Sequence, residues 1–207
     1  MKHSTHAQSL LLKNPYPTNP EKVGNIALTY ERFILATRPS PFLYCATLTE
    51  IQERTRGVYY YQEFVKPEAS HFIQSDPEIK SFIFDNGYRP EQIFTCKGLL
   101  AVNLYHAYKL GYPLDINLFE IHTAIHPASK IYEVWYNELG DIAKTLVNYR
   151  YYRNLYTHTT TRLRLQRRER DLMRTFNTWR ERYCRLNLRE KFPPRPNDPT
   201  LMMSNFL

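Results

Sequence analysis

Glycine and cysteine are scarce in this chain, whose 207 residues include six glycines and three cysteines. An all-β sandwich needs glycine-containing turns at short intervals, so the low glycine content argues against that class. Cys45, Cys96 and Cys184 are far apart, odd in number and form no C-x-x-C pair, which predicts neither a disulfide framework nor a zinc knuckle. This pattern is typical of an intracellular, reducing compartment.

Long apolar runs and common catalytic motifs are also missing. The most apolar stretch, residues 99–125, is interrupted by polar and charged residues, so we predict no transmembrane segment. No P-loop, G-x-G-x-x-G or G-x-S-x-G segment supports nucleotide or serine-hydrolase chemistry. His122 and His126 would share a helix face near Glu120, but a third ligand is not evident. We therefore predict neither a metal site nor a cofactor.

Positive charge is concentrated in one segment. Residues 141–192 hold 14 of the 28 Lys and Arg residues and five of the 20 acidic residues, which gives a net charge of +9. The rest of the chain holds 14 basic and 15 acidic residues. Neither proline nor glycine occurs between Gly140 and Pro193, so a single helix of up to 52 residues is possible. A break at Thr157 to Thr161 stays open, because four threonines there lower helix propensity within a single turn. The sequence thus predicts a nearly neutral body that carries a long cationic helix.

Apolar periodicity and proline positions predict an all-α fold with four regions. Residues 21–140 form an irregular helical domain, and residues 141–192 form one long basic C-terminal helix. Residues 1–20 and 193–207 are rich in proline and are expected to be extended arms. The apolar end of the second arm favours docking on another subunit, with a disordered tail as the alternative.

Three features inside the helical domain can be compared directly with a structure. Thr47 and Glu50 have the spacing of a capping box and predict the start of a second helix. Residues 90–110 are apolar almost all round and predict a central buried helix. Residues 115–125 predict a further helix that ends at Pro127.

The long basic segment is mostly arginine, which favours planar, bidentate contacts with fixed partners. Six arginines crowd three to four helical turns, and their mutual repulsion is relieved best by phosphates, anionic lipid head groups or an acidic protein face. The predicted partner-binding or anion-binding residues are Arg162, Arg164, Arg167, Arg168, Arg170 and Arg174.

An apolar pattern runs along the same helix in steps of 7, 4, 3, 4 and 3 residues. This heptad-like spacing predicts a seam that packs against a partner helix, and we expect neighbouring subunits to cover it. The seam consists of Leu165, Leu172, Phe176, Trp179, Tyr183 and Leu186.

One short motif points to catalysis. Arg153, Asn154 and His158 form the pattern R-N-x-x-x-H, which resembles the signature of HEPN-type ribonucleases. In that family, all-α domains bring the Arg, the polar residue and the His together across a dimer and cleave RNA without a metal. The resemblance covers six residues and implies that His158 orients or protonates an oxygen of the scissile phosphodiester while Arg153 stabilises its charge. The interpretation we prefer makes both residues solvated or partner-facing parts of the basic helix.

Together these patterns predict a non-catalytic structural or accessory subunit of a large assembly. Its partners would be other protein subunits, with anionic lipid head groups or RNA as further candidates. Residues 1–20 contain no acid, include Lys2 and Lys13 and carry several hydroxyl side chains, a composition loosely typical of a transit peptide. We therefore expect a mitochondrial location, for example in a respiratory-chain complex. An RNA-contacting organellar ribosomal protein and a metal-independent ribonuclease stay open as alternatives.

Overall fold

A computed structural model describes residues 23–55, 77–89, 92–93, 96–151 and 162–202. Within these ranges the protein is mostly helical, which confirms the predicted all-α class, and two short strands pair as an antiparallel sheet. The predicted N-terminal arm, residues 1–20, lies outside the described residues. The elements in chain order are α1 (Val23–Ala36), α2 (Pro41–Thr55), α3 (Pro77–Asp85), β1 (Cys96–Lys97), β2 (Val102–Asn103), α4 (Leu104–Lys109), α5 (Ile121–Leu139), α6 (Ile142–Tyr151), α7 (Arg162–Arg185), α8 (Leu188–Lys191) and a 3-10 helix (Pro199–Met202).

Helix α2 lies at the centre of the fold, and all ten of its residues 41–50 are buried. Helices α1, α5, α6 and α7 all pack against it. Helix α7 runs antiparallel to α2, because the Tyr44 ring centroid lies 5.3 Å from that of Tyr183 whereas Glu53 pairs with Thr175. The element that positions α7 is therefore the most buried of the helices that the structure describes.

The start of α2 differs from the predicted capping box. Helix α2 begins at Pro41, where the missing N–H of proline costs no helical hydrogen bond. The backbone N–H of Phe42 donates to the Asp198 carboxylate over 3.4 Å, so a residue from the far end of the chain receives one of the free donors of the first turn. Thr47 lies inside the helix and its hydroxyl donates to the carbonyl of Leu43 over 2.6 Å. The prediction of a helix start at Thr47 is wrong.

The predicted central helix over residues 90–110 is replaced in its described part by the β1–β2 hairpin and the short helix α4. Gly98 adopts φ 70°, and a Cβ there would lie 2.4 Å from the carbonyl oxygen of Leu118. Only glycine fits this close approach, so the turn between the strands is fixed by packing. The Asn103 side chain then caps α4 by accepting a 2.8 Å hydrogen bond from the backbone of His106.

Helix α5 continues through Pro127, where the sequence predicts a stop. Proline in a helix interior removes one backbone donor and crowds the preceding turn. Pro127 lies on the buried face of α5, and the apolar residues around it pack against α2 and α6. This burial offsets the local cost, and the helix ends instead at Gly140, which has φ 61°.

The predicted single helix over residues 141–192 is wrong. Helices α6 and α7 pack against each other, which two parts of one straight helix cannot do. Asn187 has φ 50° and separates α7 from α8, and residues 152–161 lie outside the described part of the chain. Helix α7, with 24 residues, is the long basic helix of this fold. Both α6 and α7 pack in the same hydrophobic core as the described helices before Gly140, and the domain boundary at residue 140 stays a prediction.

The described part of the C-terminal arm folds back on its own chain. Asp198 and Thr200 are buried, and the 3-10 helix packs against α2. The hydroxyl of Tyr183 donates to the carbonyl of Phe192, which ties the start of the arm to α7. For residues 193–202 this corrects the expectation of an extended arm, while docking on another subunit stays a prediction and residues 203–207 lie outside the described range.

Candidate functional site

The inner face of α7 is formed by the predicted seam. Five of its six residues are buried: Leu165, Leu172, Phe176, Trp179 and Tyr183. The sixth, Leu186, is 43% exposed, because α7 ends at Arg185 and the helical spacing no longer directs the next residues inward. The partner helix of the seam is α2 of the same chain, so the expectation that neighbouring subunits cover it is wrong for these five residues.

Aromatic pairs hold this inner face in place. The ring centroid of Phe176 lies 6.3 Å from that of Phe42, and the Trp179 ring meets the Tyr44 ring edge-on with centroids 6.4 Å apart. Such pairs add roughly 0.5–1.5 kcal/mol each beyond the burial of their area. The helix is therefore fixed in rotation about its own axis as well as in position.

A partly buried ion pair between Glu31 and Arg182 fixes the same rotation independently. Both oxygens of the Glu31 carboxylate accept hydrogen bonds from Arg182, over 2.8 and 2.7 Å, and the Tyr44 hydroxyl also donates to this carboxylate. Burial alone raises the pKa of Glu31, but the hydrogen bonds from Arg182 and Tyr44 and the charge of Arg182 outweigh burial, so the pKa lies below its usual range. Burial and the bond to Glu31 raise the pKa of Tyr44. The three residues join α1, α2 and α7.

The outer face of α7 carries the predicted arginines. Arg167, Arg170 and Arg174 are exposed, and so is Arg185, which the sequence interpretation missed. Arg185 lies 11 residues, about three turns, after Arg174, so helical spacing alone would have placed it on this face. We call these four residues the arginine face, and from first to last it spans about 27 Å at 1.5 Å per residue.

The arginine face is open to a partner. Across the described residues, no hydrogen bond or ion pair engages its four guanidinium groups. Glu181 is exposed at the helical spacing of the same face, and exposed Arg189 and Lys191 of α8 continue its positive charge. Within α7 the row of cations is interrupted by Glu181, and α8 adds the exposed carboxylate of Glu190 beside its two cations.

The other predicted basic residues separate from this face. The side chains of Arg162 and Arg164 lie outside the part of the chain whose side chains are described. Arg168 is half-buried and lies on a different side of α7, towards α2 and α6. Arg153, Asn154 and His158 lie outside the described residues, so the R-N-x-x-x-H resemblance stays a prediction.

Other candidate chemistry is limited in the described ranges. His122 and Glu120 pair over 3.0 Å on the surface, and no described group of three or more His, Cys, Asp or Glu side chains is arranged to hold a metal. Burial raises the pKa of the Cys45 thiol, which opposes formation of a nucleophilic thiolate. Of the helices that the structure describes, none is long and apolar enough to cross a membrane.

Neither a protein-family model, nor a curated protein, nor a solved structure matches this chain. The candidate site therefore rests on the geometry and charge of α7. Its inner face packs in the protein's own core, and its outer face presents a row of exposed arginines.

Proposed function

We propose that this protein is a non-catalytic accessory subunit of a larger assembly and that it binds an acidic protein partner through the arginine face. The observation that carries the proposal is the division of α7 into an apolar face buried in the core and an exposed face with four arginines. Because the backbone of α7 is already packed in the core, binding of a partner has to order only the arginine side chains, at about 0.5–1.5 kcal/mol each.

The choice of arginine supports recognition of carboxylates. Guanidinium groups form bidentate bonds with carboxylates, and arginine is enriched at protein interfaces whereas lysine is depleted. Single exposed ion pairs contribute only about 0.2–1 kcal/mol, so one arginine would not hold a partner. Several arginines spaced along one helix face can act together on a matching row of acids.

The charge pattern favours a protein over a polyanion. Glu181 lies among the arginines, and Glu190 is exposed beside Arg189. A phosphate backbone would be repelled by both carboxylates, whereas a protein surface can place a cation opposite each. For this reason we take a protein partner as the proposal and treat RNA and anionic lipid as outcomes of its test.

The setting we propose is a mitochondrial assembly such as a respiratory-chain complex. The support comes from the acid-free, hydroxyl-rich composition of residues 1–20. This support does not depend on the arginine face, so the mitochondrial location and the docking through the arginine face can be tested separately.

Replacing Arg167, Arg170 and Arg174 together with glutamine should release the protein from its assembly. At about 0.2–1 kcal/mol per exposed pair, binding should weaken by roughly threefold to 150-fold. The measurement is density-gradient sedimentation of native extract that contains the tagged full-length chain: wild type should travel with a large complex, and the triple variant should shift to the light fractions. Fractionation of organelles in the same extract tests the mitochondrial location.

A matched control removes three positive charges from other surfaces, through Lys80→Gln, Arg89→Gln and Lys130→Gln, all at exposed positions. This variant should sediment like wild type. Equal loss in both variants would show that net charge, and not the arginine face, sets the association. Dispersal of the complex by RNase would replace the protein partner with RNA, and sedimentation that depends only on membrane vesicles would replace it with lipid.

A further inference from the structure

A cleft of about 390 Å³ lies where the C-terminal arm meets α2 and α5. Its lining includes residues 195–199 of the arm, Phe42, Leu43, Glu133, Tyr136 and Asn137. The arm forms one wall of the cleft and is held against α2 by the hydrogen bond from the Phe42 N–H to the Asp198 carboxylate. Natural sites for small ligands measure about 300–1,000 Å³, so the cleft is large enough for one.

Two carboxylates from distant parts of the chain line the cleft. Asp198 is buried and accepts three hydrogen bonds, from the N–H and hydroxyl of Thr200 and from the N–H of Phe42. A carboxylate can accept about four, so Asp198 keeps one acceptor position for a ligand. Glu133 is exposed, and across the described residues no hydrogen bond or ion pair engages it. Both carboxylates can therefore accept from a bound cation.

Negative charge prevails in this cleft. Arg195 is the one cation among the described lining residues, against the two carboxylates. Burial raises the pKa of Tyr136, and the negative charges of Asp141 and Asp198 raise it further. Asn137 lies in the last turn of α5, where the helix dipole is also negative. A cation is therefore the ligand that the cleft favours.

The other walls favour a cation with an apolar stem. Apolar surface comes from Phe42, Leu43, Pro196 and Pro199. The centroid of the Tyr136 ring lies 5.7 Å from that of Phe42, and an aromatic face attracts an ammonium group. Long cationic side chains bury their methylene groups on such surfaces while the charged head keeps its polar contacts. A bare metal ion would make no use of these walls.

We propose that the cleft binds an alkylammonium group, carried either by a lysine side chain of a peptide or by a free polyamine. The ammonium head lies between Glu133 and Asp198, and the methylene stem packs against Tyr136 and Phe42. The charge of Arg195 opposes the ligand and limits its affinity. The site is formed by α2, α5 and the arm, so it does not depend on the arginine face or on the function proposed above.

n-Butylamine, which has the carbon chain and head group of the lysine side chain, should bind the full-length protein at pH 7. We expect a dissociation constant on the order of 1–10 mM, which is typical of so small a ligand. The measurement is a saturation-transfer NMR titration, with 1-butanol as the uncharged control ligand. Displacement of butylamine by spermidine at a lower concentration than by Nα-acetyl-lysine methylamide assigns the site to a free polyamine. The reverse order assigns it to a lysine side chain.

Glu133→Gln should weaken butylamine binding by about twofold to fivefold, because one of the two carboxylates is lost. Arg195→Gln should strengthen it by a similar factor, since the opposing charge is removed. Glu138→Gln is the matched control and should leave binding unchanged, because Glu138 is exposed on the same helix but does not line the cleft. All three positions are exposed, so circular dichroism should show the wild-type fold for each variant.

The absence of butylamine binding to wild type overturns the site, as does binding of 1-butanol with the same affinity. Equal effects of Glu133→Gln and Glu138→Gln would show that net charge, and not the cleft, attracts the amine. Weaker binding in Arg195→Gln also overturns the proposal.

Discussion

Replacing Phe176 with alanine should lower the free energy of unfolding of the isolated chain by about 3–5 kcal/mol. The Phe176 side chain is fully buried between α7 and α2, and its removal leaves a cavity beside Phe42. Urea denaturation of the purified protein, followed by circular dichroism, measures the loss. The prediction depends on α2 of the same chain being the partner of the seam.

Leu186→Ala provides the matched control, because Leu186 belongs to the same sequence pattern but is largely exposed. Its effect should stay within about 0.5 kcal/mol. If both variants lowered the free energy of unfolding of the isolated chain by less than about 0.5 kcal/mol and disrupted only the assembly, the prediction would be contradicted. The seam would then pack against another subunit, as the sequence pattern alone suggests. A large loss for Phe176→Ala alone supports the intramolecular packing.

Replacing Glu31 with glutamine should cost about 2–3 kcal/mol at pH 7. Breaking a buried ion pair leaves a charge without its partner and usually costs about 3–5 kcal/mol. The expected cost is smaller here because the Arg182 side chain is 32% exposed and water screens its charge. The folded-state pKa of Glu31 is lowered, so its contribution is present above its ordinary pKa of 4.5 and is lost as the pH falls through the lower, folded-state value. The difference between wild type and variant should therefore shrink below about pH 4.5.

Denaturant titrations at pH 7 and at two values below pH 4.5 measure this change. Glu133→Gln is the control, since Glu133 is exposed on α5, and its effect should be within about 0.5 kcal/mol at pH 7. A Glu31→Gln difference that stays constant as the pH falls would contradict the assigned role of the carboxylate. It would indicate that size or packing at this position, and not charge, determines the loss.

The sequence predicts the two faces of α7 well because helical periodicity is a local property. The apolar steps from Leu165 to Tyr183 and the arginines between them can be assigned to faces by spacing alone. Spacing does not identify the partner of a face. The sequence therefore could not show that α2, more than a hundred residues earlier, covers the seam, or that Arg168 lies apart from Arg170 in a different environment.

Tertiary contacts determine the helix boundaries that the sequence predicts wrongly. Pro127 is a strong local stop signal, yet burial of its helix face offsets the lost hydrogen bond. A single glycine in an apolar stretch does not predict a hairpin. The glycine at position 98 is required by the close approach of the Leu118 carbonyl oxygen. Likewise, the first turn of α2 is capped by Asp198, 156 residues away from Phe42, which no local pattern can reveal.

That long separation has a consequence for biosynthesis. Helix α2 leaves the ribosome well before α7 and Asp198 exist, so the α2 residues that contact them stay without these partners until translation is nearly finished. At about 5–20 residues per second, a separation of 156 residues corresponds to a delay on the order of ten to thirty seconds. The protein therefore completes its native core only after its last helices have emerged.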